Sequence, residues 1–246
     1  MMATLPDSDP AGRKTLELFA DAHNFNRWML HSIVVYCQGH ILEIGSGIGN
    51  ISALLLQHFT QVTLSDLRLE YCDLLKEKFK GNNHLRGVMQ IDLAAPNFEE
   101  TYSDHLFKFD TVVLLNVIEH IEDDHLAIEN CRKLLKTNGN MIILVPAFQA
   151  LYNPFDRQLG HYRRYTSKSL AALISSADLE ITHTKYFNFI GIGGWLFSGS
   201  LLRKRIIPGR QLRIFNTLIP LFRFFDRYAA GIAGLSVIAV GKRVQL

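Results

Sequence analysis

Three glycines at alternate positions, Gly45, Gly47 and Gly49, follow an apolar run that contains Glu43, and a helical pattern begins at Asn50. That order is a strand running into a turn at a helix N-terminus. Such a turn brings bare backbone against a ligand, because glycine lacks a Cβ and tolerates positive φ. Dinucleotide-binding turns space their glycines G-x-G-x-x-G, but here position 50 is Asn50. Acids close the next two apolar runs: Asp66, 21 residues beyond Gly45, and Asp92. A carboxylate at a strand end accepts hydrogen bonds from paired hydroxyls or from an amine. Proton chemistry enters with His120, beside Glu119, and with His161 in the run His161-Tyr162-Arg163-Arg164-Tyr165. Histidine titrates near neutrality and is a candidate acceptor for the proton of a hydroxyl or amine nucleophile. His120 reads equally as a residue that shapes a pocket, and Glu119 as a structural acid at a helix start. An arginine of the run could fork onto a carboxylate or phosphate. The plainer reading of Arg163 and Arg164 is a salt bridge to Asp156 or to a neighbouring helix.

These residues need a frame, and the hydrophobic pattern supplies one. After residue 40 short apolar runs alternate with helical stripes, the signature of a parallel sheet covered on both faces. Strands are expected at Ile41–Ile44, Gln61–Ser65, Leu85–Ile91, Thr111–Leu115, Met141–Val145, Glu180–Phe187 and Ser236–Lys242. Helices are expected from Asn50 to Phe59, from Leu69 to Lys80, from Asp123 or Asp124 to Lys136, stopping at Asn138-Gly139, and from Lys168 to Ser176 with Ser167 as its cap. Ala147 to Thr166 reads as a polar loop. Thr15 to Cys37 reads as helical and is expected to cover the ligand side of the sheet.

The segments Leu42-Glu43-Ile44-Gly45-Ser46-Gly47-Ile48-Gly49, Ser65-Asp66-Leu67, Ile91-Asp92-Leu93 and Asn116-Val117-Ile118-Glu119-His120-Ile121 resemble, in this order, the motifs of class I S-adenosylmethionine (SAM)-dependent methyltransferases. The resemblance spans about Asn24 to His183 plus the last strand. The stretch from Asp156 to Tyr165 looks like a G-H-x-R-R-Y loop of one bacterial subgroup of the small-molecule branch. The resemblance implies a Rossmann-like α/β fold with a seven-stranded, mostly parallel sheet, helices on both faces and SAM as cofactor, leaving S-adenosylhomocysteine. It implies that Glu43, Gly45, Ser46, Gly47, Gly49 and Asn50 form the cofactor turn. Asp66 and Leu67 would serve the ribose, Asp92 and Leu93 the adenine, and Asn116 and Val117 the transfer site. It places substrate against Trp28, Glu119, His120, His161, Tyr162, Arg163, Arg164 and Tyr165, with His120 or His161 as a candidate base.

The chain departs from that family between the last two strands, where a short hairpin is usual. The long insert, 189–234, contains Trp195, Phe197, Phe215, Phe222, Phe224 and Phe225 among Arg203, Lys204, Arg205, Arg210, Arg213 and Arg223. A helical lid, a dimer surface or a peripheral membrane contact through 187–227 would each use such a segment. A domain spanning 1–246 is expected, with 14–38 as helical cover. Of 26 Lys and Arg, nine lie from Ser200 onward beside one acid, Asp226, so a basic tail follows an acidic body. With a net charge of only +3, nucleic acid is not the expected partner. A small, partly apolar, possibly anionic acceptor methylated at oxygen or nitrogen is expected. An RNA or protein methyltransferase and an NAD-dependent oxidoreductase are the other readings. Three scattered cysteines argue against a disulfide or zinc framework, and no metal is expected. The N-terminus does not read as a signal peptide; a cytoplasmic monomer or homodimer is expected.

Overall fold

A computed structural model describes residues 10–202 and 208–245. Met1 to Asp9 and the basic residues Arg203, Lys204 and Arg205 lie outside the described residues. In chain order the helices are α1 (Pro10–Ala20), α2 (His23–Ile33), α3 (Ser52–His58), α4 (Leu69–Lys78), α5 (Phe98–Thr101), α6 (Asp124–Leu134), α7 (Pro154–Leu159), α8 (Ser167–Ser175), α9 (Gly191–Trp195) and α10 (Gly209–Ala229). The strands are β1 (Ile41–Ile44), β2 (Val62–Asp66), β3 (Leu85–Gln90), β4 (Phe109–Leu115), β5 (Leu135–Pro146), β6 (Glu180–Phe187) and β7 (Ser236–Lys242).

The seven strands form one sheet in the order β3-β2-β1-β4-β5-β7-β6. The pairs among β1 to β5 are parallel, and β7 runs antiparallel to both β5 and β6. Alternate residues of each strand point to opposite faces, and two cores result. Leu42, Val112, Leu114, Met141 and Ile143 pack on one face with Phe98 of α5, Cys131 of α6 and Leu170 of α8. Ile41, Val113, Ile142 and Leu144 pack on the other with Leu30 of α2, Leu55 of α3, Leu75 of α4 and Ile219 of α10. Burial on both faces explains why the central strands read as unbroken apolar runs.

The N-terminal helical segment is two helices, broken near Asp21 and Ala22, followed by a 3-10 turn at Val34–Tyr36. Its first helix meets the glycine turn: the Asn50 side-chain amide donates to the Leu16 carbonyl at 2.8 Å. The long insert leaves and re-enters the β6–β7 hairpin at one neck, where the Leu235 amide donates to the Asn188 carbonyl at 3.0 Å. Its α10 packs onto α2 through Phe25–Phe215 rings 6.2 Å apart and an Asn216 carbonyl that accepts from Asn24 at 3.1 Å. No helix among the described residues is long and apolar enough to cross a membrane.

Three local expectations are corrected. Helix α6 ends at Leu134, and Leu135 already belongs to β5, paired with Phe109. The turn signal Asn138-Gly139 is spent on a bulge within the extended strand, with Asn138 at φ 65°. The cap of α8 is Thr166, whose hydroxyl accepts from the Ser169 amide, rather than Ser167. The stretch read as polar loop contains α7, opened by a capping box of Asn153 and Asp156 with Pro154 in its first turn.

Candidate functional site

The glycine turn at the carboxyl end of β1 is held from below by one acid. Glu43 lies on the same face of β1 as Ile41, where the apolar stripe reaches α3. Its Oε2 accepts from the Ser46 hydroxyl at 2.9 Å and from the Ser52 hydroxyl. Burial pushes its carboxyl up to about 7, against the pull of those two hydroxyls. The turn also needs its glycines. Gly45 has φ 73° and is so close to Val117 that a Cβ would sit 2.5 Å from that side chain. Gly47 has φ 53° and lies beneath Leu16 of α1.

Asp66, at the end of β2, meets this turn directly. Its Oδ2 accepts from the Gly47 amide at 2.8 Å and its Oδ1 from the Arg68 amide at 3.0 Å. Burial raises its pKa, and the Arg68 and Gly47 amides partly oppose that rise. Each oxygen keeps a second lone pair, so the carboxylate can still take two hydroxyl donors. Leu67 is half-buried, and its carbonyl accepts from Gln90 at 2.8 Å. Beyond β3, Asp92 closes a tight turn onto the Ala94 amide at 2.9 Å, and its own amide donates to the Tyr102 hydroxyl at 2.8 Å. Leu93 is buried in the core at 3% exposure. Asn116, exposed at φ 56°, bends the chain out of β4, and Val117 turns back onto Gly45. The sequence-predicted cofactor residues therefore assemble along the carboxyl edge of β1, β2, β3 and β4, the crevice where open α/β sheets bind ligands.

The polar run after β5 behaves differently. Asp156 is fully buried and is the centre of a network that sequence reasoning treated only as a partner for an arginine. It accepts from His161 Nδ1 at 2.8 Å, Arg164 Nε at 2.9 Å and the Asn153 amide at 2.9 Å. Burial would raise its pKa, but the hydrogen bonds from His161 and Arg164 outweigh it and hold the carboxyl below its ordinary value. The pattern Asn153-Pro154-Phe155-Asp156 is a helix-start signature that would have revealed this acid as a cap.

Arg164 also donates to the Ala147 carbonyl at 3.0 Å and stacks 4.7 Å from the Trp195 ring. Arg163 pairs with Asp124 at 3.0 Å, and the Tyr165 hydroxyl donates to the same acid at 2.8 Å. The arginines thus make the salt bridges of the plainer reading, to Asp156 and to α6. Arg164 and Tyr165 are buried, with Arg164 Nε and Nη1 and the Tyr165 hydroxyl all bonded inside the protein. Trp28 is buried at 6% exposure with its ring 4.4 Å from Phe187, a packing position. Tyr165→Phe is expected to cost about 1–1.5 kcal/mol of stability, read as a lower urea midpoint at unchanged m-value.

What the run does bring to the sheet edge is His161. The Tyr162 amide donates to the Glu119 carbonyl at 2.8 Å, and the His161 and His120 rings meet edge to face with centroids 4.7 Å apart. His120 and Tyr162 are exposed, whereas His161 and Glu119 are buried. No other residue hydrogen-bonds either Glu119 carboxylate oxygen. Burial pushes its carboxyl up to about 8, partly opposed by its own backbone amide and by Arg164.

Residues 42–141 match a family model described as a methyltransferase domain. The chain is 25% identical over 154 residues to a ubiquinone biosynthesis O-methyltransferase of Xanthomonas oryzae pv. oryzae, covering 57% of this chain and 62% of that one. It is 27% identical over 127 residues to the probable polyketide synthase 42 of Dictyostelium discoideum, covering 46% of this chain and 5% of that one. The chain spans less than two thirds of either relative. A solved SAM-dependent methyltransferase from Archaeoglobus fulgidus is similar at a TM-score of 0.60, 17% identity, and coverage of 92% of this chain and 96% of that one. The fold is therefore the Rossmann-like class I methyltransferase fold, and residues 42–141 carry the sequence pattern of a methyltransferase domain.

Proposed function

We propose that this chain is a SAM-dependent methyltransferase acting on a small, partly apolar molecule at oxygen or nitrogen. The observation that carries the reading is the contact between Asp66 and the Gly47 amide at 2.8 Å. It sets a carboxylate with spare lone pairs against a bare glycine turn, where a nucleoside with an amino-acid tail needs both. The residues present fit such a ligand. Gly45 and Gly47 leave the turn's backbone bare, Gly49 lets it pack on Leu75 and Phe79, Asp66 would take the ribose hydroxyls, and Asp92, beyond β3, would take an exocyclic amine. When bound, the cofactor supplies an activated methyl group and a good leaving group.

The protein's part is to align acceptor and methyl in line and to exclude water. Val117 stands beside the turn, α1 packs over it, and the Phe-rich insert packs on α2. His120, exposed and next to the buried His161, is the residue placed to take a proton from a hydroxyl or amine acceptor. An oxygen acceptor is favoured by the likeness to the ubiquinone biosynthesis O-methyltransferase.

A dinucleotide-dependent oxidoreductase is disfavoured by the antiparallel β7 inside the sheet and by Asn50, which bonds Leu16 where that motif has glycine. Calorimetric titration is expected to show one SAM bound per chain. Asp66→Ala should weaken it at least about 10-fold, the worth of a single hydrogen bond to a charged group. Undiminished affinity in that variant, or saturable binding of NADH in place of SAM, would overturn the assignment.

A further inference from the structure

Glu119, His120 and His161 each offer a ligand atom, and these atoms all lie within 4.8 Å of one another. Two observations set this group apart from a chance cluster. Glu119 is 0% exposed, and no other residue hydrogen-bonds either of its carboxylate oxygens. A buried acid left so is costly unless something else satisfies it. His161, in turn, is already oriented as a metal ligand is. Its Nδ1 faces the buried Asp156 at 2.8 Å, so in the neutral ring the proton sits on Nδ1 and the lone pair on Nε2. A carboxylate behind the imidazole is the usual support of a metal-bound histidine. That support is itself braced by Arg164 and by the Asn153 amide.

We propose that Glu119, His120 and His161 bind a divalent first-row transition metal ion. Two imidazole nitrogens and one carboxylate suit zinc, cobalt or iron(II) rather than magnesium or calcium, which prefer all-oxygen shells. Ligand atoms around one such ion at about 2.1 Å are spaced about 3–4 Å apart, so the three side chains close by about an ångström on binding. Three protein ligands leave a position open, the arrangement of catalytic rather than structural sites. Exposed His120 brings the cluster to the surface. Where an oxygen acceptor is methylated, the ion would polarise the hydroxyl that reaches it, replacing proton acceptance by His120, whose ring then serves as a ligand; this role alone rests on the functional reading above. The cluster was invisible to residue spacing because His161 arrives from a separate loop.

The test uses the full chain with metal alone, without SAM or acceptor, so that its outcome is independent of methyl transfer. After chelator treatment the protein is titrated with Co²⁺, following visible absorption, and with Zn²⁺ by calorimetry. One ion per chain is expected, with a ligand-field spectrum of low coordination number and little response to Mg²⁺. His120→Ala alters an exposed residue and Glu119→Gln preserves shape, so circular dichroism should show both folded. Each should weaken binding at least about 10-fold, as losing one ligand of three requires. Absence of saturable Co²⁺ and Zn²⁺ binding by the native chain would overturn the proposal. So would binding that both variants retain undiminished, which would assign the ion to other histidines of the surface.

Discussion

Asp156→Ala is expected to remove about 3–5 kcal/mol of folding stability, the cost of breaking a buried ion pair on one side. The substitution deletes the acceptor for three donors at once. Arg164, whose side chain is 1% exposed, would keep a buried guanidinium with no ion-pair partner, held by the Ala147 carbonyl and the Trp195 ring. His161 would lose the bond that fixes its ring, and α7 would lose half of its capping box. The measurement is chemical denaturation: a lower midpoint at unchanged slope. Asp156→Asn, which retains one acceptor oxygen, should fall between the two. A loss below about 1 kcal/mol for the alanine variant would mean that water replaces the carboxylate, and that the network is not closed to solvent.

Glu43→Gln is expected to stabilise the protein, and to do so more as pH rises. The carboxyl goes from an ordinary 4.5 to about 7 on folding. Below 4.5 both states hold the proton and folding is indifferent to pH. Between the two values the unfolded chain ionises while the folded one keeps its proton, so stability falls as pH rises. Above about 7 the loss is complete, at about 3 kcal/mol. Glutamine does not titrate, and its Oε1 can still accept from Ser46 and Ser52. The variant should therefore melt several degrees higher than the native chain at about pH 8 and close to it at about pH 5, given about 2–4 °C per kcal/mol for a chain of this size. An advantage equal at the two pH values would show that Glu43 is not the titrating group.

Much of the cofactor edge was legible because it is built from short-range pattern. Apolar runs buried on both faces reveal β1, β2 and β4, and the residue that ends each run must lie at the sheet's carboxyl edge. Gly45, Gly47, Asp66, Asp92 and Asn116 were found in this way. The boundary between α6 and β5 was not legible, because Leu134 and Leu135 are apolar on both sides of it and the turn signal beyond belongs to a bulge. Nor was the fate of Arg163, Arg164 and Tyr165. Three charged or polar residues in a row carry no information about which way each points, and the structure spends them on Asp124, Asp156 and Ala147.

The order of residues along the chain determined the alternation of strand and helix, the bare turn after β1 and the acids at the ends of β2 and β3, since each depends only on neighbours within a few positions. Tertiary structure decided what stands opposite what. The Tyr162 amide reaching the Glu119 carbonyl draws His161 onto His120, and α10 of the long insert packs on α2. Such pairings join segments distant in sequence. Their energies come from burial and from hydrogen bonds completed only when the sheet has assembled, so local pattern has no means of declaring them.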